Sequence, residues 1–199
     1  MRINSINTLS NTNFQATYEG DYKVKVADKN GNFRNKTVTA VKLDPNSFAD
    51  GMALDEVENS WLYKDCLVEC INSDFDDLFR HGSRHNYYAI TTQKDSFNKL
   101  NPDYIIGLIE YTHDMHKKYD YINYVQVKPQ LMAKNNARKI KNIGTALLEI
   151  IKNQKTGFKN IYLNALQDAS EFYQKNGFKL VEKTEEPLML FERIIKLKK

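Results

Sequence analysis

Val125-Gln126-Val127-Lys128-Pro129, then a basic loop, then Ile143-Gly144-Thr145-Ala146-Leu147-Leu148: across this stretch the chain changes its period. Up to Val127, β-branched residues alternate with polar ones, as in a strand with two unlike faces. Pro129 cannot continue a ladder because it has no N–H to donate. Beyond it, Ile143, Ala146, Leu147, Ile150 and Ile151 recur at helical spacing and form the stripe of a helix buried along one face. The loop between holds Lys134, Arg138, Lys139 and Lys141 and opens directly into the helix N-terminus. Unpaired amides and the positive end of the helix dipole make such a terminus an anion site, and Gly144 lets a ligand approach the backbone closely. Strand, cationic loop and helix start, in that order, point to a phosphate-bearing ligand.

Downstream, Asn160 to Ala165 reads as a short strand, and a strand–helix–strand crossover of this kind gives parallel neighbours. Asp168 is expected to start a short helix, with Glu171 three residues on as a capping box and Gly177 at its C′ position. Lys179 to Lys183 and Leu188 to Ile194 read as two final strands. Upstream, Asn86 to Thr92, Tyr104 to Thr112 and Tyr119 to Lys128 are three β-rich segments joined by polar loops, an antiparallel meander. Before them Ala49 to Phe79 reads as helical, with Asp50 as cap of a first helix running towards Trp61, and Leu62, Cys66, Cys70 and Ile71 near helical spacing in a second. Tyr22 to Val26, Asn30-Gly31 and Thr37 to Leu43 read as a hairpin, and residues 1 to 17 as a polar arm.

The segment around Gly144 resembles the cofactor motif of the GNAT acyltransferase superfamily, Arg/Gln-x-x-Gly-x-Gly/Ala, with Lys139, Asn142 and Gly144 at the signature positions. Lys139 keeps the charge without a planar fork, and Asn142 replaces a Gly with the next-best residue for a left-handed conformation. Residues 161–178 are similar to the superfamily's other characteristic stretch: Ala169, Tyr173, Lys175, Gly177 and Phe178 match in order and spacing. Many members carry an Asn seven residues before the Tyr; here Leu166 stands there. The resemblance covers residues 37 to 194 in architecture and 121 to 178 in motif.

It implies an α/β (α+β mixed) GNAT-like fold, with a mixed, mostly antiparallel sheet of about six or seven strands flanked by helices. It also implies acetyl-CoA as acyl donor. Val125, Gln126 and Val127 would meet pantetheine. Arg138, Lys139, Lys141, Asn142, Ile143, Gly144 and Thr145 would hold the pyrophosphate, and Asn164, Phe172 and Tyr173 would complete the cofactor side. The implied reaction is direct attack of a primary amine on the thioester, which needs a base for the amine and an acid for the thiolate. Tyr173 matches the residue that protonates the thiolate, and Glu110, in the strand beside the acyl site, is the candidate base. No metal is required.

Composition agrees with this reading. Of 199 residues, 41% are hydrophobic and 27% charged, enough for a core and against wholesale disorder. The net charge of +4 favours phosphate-bearing ligands without demanding nucleic acid. No run approaches the roughly 20 apolar residues that span a bilayer, the first residues lack an apolar signal region, and two Cys make no disulfide framework. A cytoplasmic protein is expected. Residues 1–36 would form a flexible arm plus hairpin extension, with a role in homodimerisation open, and 37–199 the acyltransferase domain. Two rivals remain. One is a degenerate member that binds CoA without chemistry. The other is a zinc-dependent nucleic-acid module, resting on Cys66, Cys70, His81 and His85, although Leu67-Val68-Glu69 offers no turn at the Cys pair and free Cys is commonly a small buried hydrophobe. His113 and His116 have only Asp114 at ligand spacing and read as a polar loop.

Overall fold

The computed structural model describes residues 15–61, 84–114, 116–132, 138–154, 160–183 and 188–194. The expected second helix, with Cys66, Cys70 and His81, lies outside the described residues, as do the arm before residue 15 and Lys134.

Two long strands open the fold, β1 (Thr17–Ala27) and β2 (Phe33–Leu43), joined as a hairpin. Asp28 organises the turn: its Oδ1 accepts the amides of Asn30 and Asn32 at 2.9 Å each, and Gly31 takes φ 81°. The helix α1 (Phe48–Ser60) follows. Then comes the meander β3 (Arg84–Thr91), β4 (Ile105–Asp114) and β5 (Tyr119–Val127). A two-residue strand β6 (Ile140–Lys141) leads into helix α2 (Ile143–Asn153). The chain closes with β7 (Asn160–Leu166), the short helix α3 (Ser170–Lys175), β8 (Lys179–Lys183) and β9 (Leu188–Ile194).

The described strands form one sheet in the order β6-β1-β2-β3-β4-β5-β7-β9-β8. Every pairing is antiparallel except β5 with β7, which the α2 crossover makes parallel. The sheet is α/β in class and mostly antiparallel, as expected, but wider by two strands. One addition is β1, which pairs with β2 along its whole length, so that position 36 falls inside a sheet strand. The other is β6, which pairs Lys25 with Lys141 and Val26 with Ile140 and stitches the basic loop to β1.

Two cores lie on opposite faces. On one, Ile143, Ala146, Leu147, Ile150 and Ile151 of α2 are all buried against Val38, Ile90, Ile109, Ile122, Leu163 and Phe191. On the other, Leu54 and Val57 of α1 meet Val41, Leu43, Tyr87 and Leu108.

The start of α1 corrects one expectation. Ser47, not Asp50, is the N-cap; its hydroxyl accepts the Asp50 amide at 3.2 Å. Asp50 sits a turn inside, fully buried, its carboxylate accepting the Asp44 amide at 2.9 Å. Burial pushes its pKa from 3.8 up to about 6, against the lowering effect of the Asp44 and Ala16 amides. The folded chain therefore binds this proton more tightly than the unfolded chain does. Unfolding releases it between pH 3.8 and about 6, so Asp50 contributes a stability loss as pH rises through that window and a constant cost above it. Denaturant unfolding of Asp50→Asn is expected to lack this contribution, the variant gaining on the wild type as pH rises to 7; parallel pH profiles would exclude it.

Candidate functional site

The ladder between β5 and β7 runs only from Tyr119/Asn160 to Ile122/Leu163. Beyond it β7 stays with β9 as far as Leu166/Leu188, while β5 stays with β4 as far as Val127/Gly107. The two strands thus diverge, and among the described residues no strand pairs with the β5 edge that faces the gap. A bulge marks the departure: Tyr111 opposes Ile122 and Glu110 opposes Tyr124, leaving Asn123 as the extra residue. At the same point the Asn164 backbone N–H lies near enough to the Tyr121 hydroxyl to oppose the rise that burial gives its pKa. Val125, Gln126 and Val127 therefore line one side of the gap and Asn164 the other. Backbone donors and acceptors on such an edge suit a polar extended ligand.

Below the gap α2 begins. Asn142 is its N-cap and takes φ 70°, the left-handed conformation for which Asn is tolerated. Ile143 is buried and anchors the first turn, while Arg138, Lys139, Lys141 and Asn142 are exposed. These cations do not all converge. Ile140 packs on the α2 face, so Lys141, its neighbour in the strand, turns to the opposite face. There its ammonium lies 3.8 Å from the centre of the Phe33 ring. Gly144 has a close neighbour of its own: a Cβ there would come within 2.9 Å of Phe172 Cζ. Thr145 is half-buried in the same turn.

Phe172 and Tyr173 come from α3, whose end explains the Lys-x-Gly-Phe motif. The Gly177 amide donates to Gln174 O at 3.0 Å and the Phe178 amide to Tyr173 O at 3.1 Å, a Schellman stop with Gly177 at φ 85°. The accompanying apolar contact is Phe178 against Tyr173, ring centres 5.8 Å apart. Tyr173 also packs on Phe191 at 5.9 Å, and Phe191 is the cross-strand partner of Leu163, where the β5–β7 ladder ends. The motif thus fixes Tyr173 over the apex of the gap. Burial pushes its pKa up to about 12. The start of α3 differs from expectation: residues Gln167–Ala169 form a 3-10 turn, Ala169 is the cap, and Glu171 pairs with Lys175 instead of closing a capping box.

Glu110 alternates with Ile109 and Tyr111, both in the α2-side core, and so lies on the other face. It is fully buried, and its Oε1 takes His85 Nδ1 at 2.7 Å and Asn123 Nδ2 at 2.6 Å. Tyr173 and Glu110 therefore flank the gap from opposite sides of the sheet. His85 is a residue that sequence reasoning set aside as a zinc ligand; the register places it opposite Thr112, one diagonal step from Glu110. A second His–carboxylate pair was also missed. His113 lies in β4 rather than in a loop, and its Nδ1 meets the buried Asp120 across the β4–β5 ladder. It is at the closed end of the parallel ladder, away from the gap. Among the described residues no group of three or more His, Cys, Asp or Glu is arranged to hold a metal, and no helix is long and apolar enough to cross a membrane.

No protein-family model and no curated protein matches this sequence. Solved structures do match its fold. The aminoglycoside 6'-N-acetyltransferase from Enterococcus faecium superposes at TM-score 0.53 with 15% identity, over 80% of this chain and 98% of that one. An aminoglycoside 6'-N-acetyltransferase complexed with coenzyme A gives 0.52 and 16%, over 80% and 98%. The GNAT domain of S. lividans PAT gives 0.51 and 12%, over 86% and 96%. The chain is similar to these proteins in fold, and at such identities the similarity speaks for fold alone.

Proposed function

Starting from a GNAT fold with an open β5–β7 gap, we propose that this chain transfers an acetyl group from acetyl-CoA to a primary amine by direct attack. The observation that carries the proposal is the convergence on one gap of a strand edge that no described strand pairs, a helix N-terminus entered through a left-handed Asn, and a tyrosine held at the apex. The fold neighbour complexed with coenzyme A supports a CoA-type donor.

In this reading the β5 edge at Val125, Gln126 and Val127 bonds the pantetheine, whose amides need a strand-like partner. The α2 terminus at Asn142 to Thr145, with Arg138 and Lys139 beside it, takes the pyrophosphate. Asn164 and Phe172 border the same path. Lys141, held on Phe33, contributes long-range charge rather than a contact. The amine nitrogen attacks the thioester carbonyl carbon, the C–S bond breaks, and the electron pair leaves on sulfur. Tyr173 faces that sulfur as donor, and Glu110 supplies the negative charge on the acceptor side.

Acetyl-CoA at a hundred times its Kd is expected to stabilise the chain by about 2.7 kcal/mol, several degrees of Tm for a chain of this length. Free thiol should appear when an amine is added. A shift without thiol release from spermidine, kanamycin, lysine or a peptide with a free N-terminus would favour the non-catalytic CoA binder. No shift at all would remove both CoA readings.

A further inference from the structure

We infer that His85 is the general base of the proposed transfer and that Glu110 is the residue that positions it. The inference rests on the acyltransfer reading and deepens it. Three neighbouring strands contribute one polar row: His85 from β3, Glu110 from β4 and the bulged Asn123 from β5. Both nitrogens reach the same oxygen, Oε1 of Glu110. With Glu110 ionised, that oxygen accepts from the Asn123 amide and from the imidazole alike. His85 Nδ1 then carries the hydrogen, and the lone pair of the neutral ring is at Nε2.

Burial assigns the roles. Glu110 has no exposed surface, whereas the His85 side chain is 24% exposed. A base must come within hydrogen-bond reach of the amine or of one bridging water, and in this row the imidazole is the group that reaches the surface. Its plane is fixed as well, stacked on Tyr87 at 6.2 Å and 19°. The bond to Glu110 ties the ring diagonally from β3 to β4. Glu110 itself stands opposite Tyr124 of β5, just past the bulge where the gap opens. The bulge serves both halves: the extra residue ends the β5–β7 ladder and supplies the amide that holds Glu110.

The transfer then balances as follows. The amine nitrogen bonds to the carbonyl carbon, and its proton passes to His85 Nε2, directly or through one water. The C–S bond breaks with its electron pair on sulfur, and the imidazolium later returns its proton to solvent. Glu110 stays ionised throughout and offsets the imidazolium charge.

Two measurements test this. Long-range 1H–15N NMR of the wild-type chain should show neutral His85 as the Nδ1–H form; the Nε2–H form overturns the inference whatever the kinetics. Thiol release from acetyl-CoA should then be followed with the best amine of the panel above. His85→Ala is expected to lower kcat about a hundredfold with the acetyl-CoA thermal shift retained, and added imidazole should restore part of the rate. Glu110→Gln should lower kcat with little change in KM and loosen the tautomer preference. A His85→Ala enzyme within threefold of an active wild type removes His85 and leaves acyl transfer standing. A wild type that releases no thiol with any amine removes acyl transfer and the base together.

Discussion

Tyr173→Phe is expected to lower thiol release by about a hundredfold to a thousandfold while leaving the thermal shift with acetyl-CoA unchanged. The single oxygen removed is the proposed donor to the thiolate; the ring, its contacts with Phe172, Phe178 and Phe191, and the Schellman stop all survive the change. Phe also keeps the apolar volume, so folding stability should move by less than about 1.5 kcal/mol. Burial alters the expected pH behaviour. With its pKa pushed up to about 12, Tyr173 is a permanent donor between pH 6 and 10 and a weaker acid than an exposed phenol. It acts by hydrogen-bonding the departing thiolate, and complete proton transfer to the less basic sulfur is uphill. The rate should therefore show no falling limb from tyrosine ionisation over that range. Turnover equal to wild type in Tyr173→Phe would strike Tyr173 from the mechanism, and a weakened thermal shift would place it in cofactor binding instead.

The parts of this site that could be read from sequence are those governed by short-range rules. The α2 stripe, the left-handed fitness of Asn142 and the stop at Gly177 each follow from one residue and its near neighbours, and each is found. Parts set by register were hidden. His85 and Glu110 stand 25 residues apart, and His113 and Asp120 seven, so each pair meets only once strands are aligned. The alternation of Ile109, Glu110 and Tyr111 carried a usable signal, since it puts Glu110 on the face away from the aromatic core. The strand β6 gave no signal at all: two residues have no period, and pairing with β1 is a tertiary event. Asp50 misled because a helix-start carboxylate and a buried one look alike in sequence. Ser47, three residues earlier, was the better cap by the same rule.

Gly107→Val is expected to destabilise the fold by about 3 kcal/mol, a fall of roughly 6–12 °C in Tm, and to weaken acetyl-CoA binding beyond what the lost stability explains. Gly107 lies in β4 opposite Ile90 on one side and Val127 on the other, under the first turns of α2. A Cβ there would stand 2.8 Å from Ile143 Cγ2 and 3.0 Å from Leu147 Cδ1. Both are fully packed residues, 2% and 0% exposed, so neither has room to retreat. Valine adds two further methyl groups against the same wall, and the helix must lift from the sheet. Ile143 is the first residue of α2, directly after Asn142, so a displacement there moves the N-terminus that the proposed function assigns to the pyrophosphate. The neighbouring Val127 belongs to the strand edge assigned to pantetheine, so both halves of the donor site shift with one residue. Gly107→Ala is the graded control, costing less because a single methyl must be absorbed. A Gly107→Val chain that melts with the wild type would mean that α2 is free to slide. One that melts low but binds acetyl-CoA as tightly, compared well below its own Tm, would separate the helix N-terminus from the donor site.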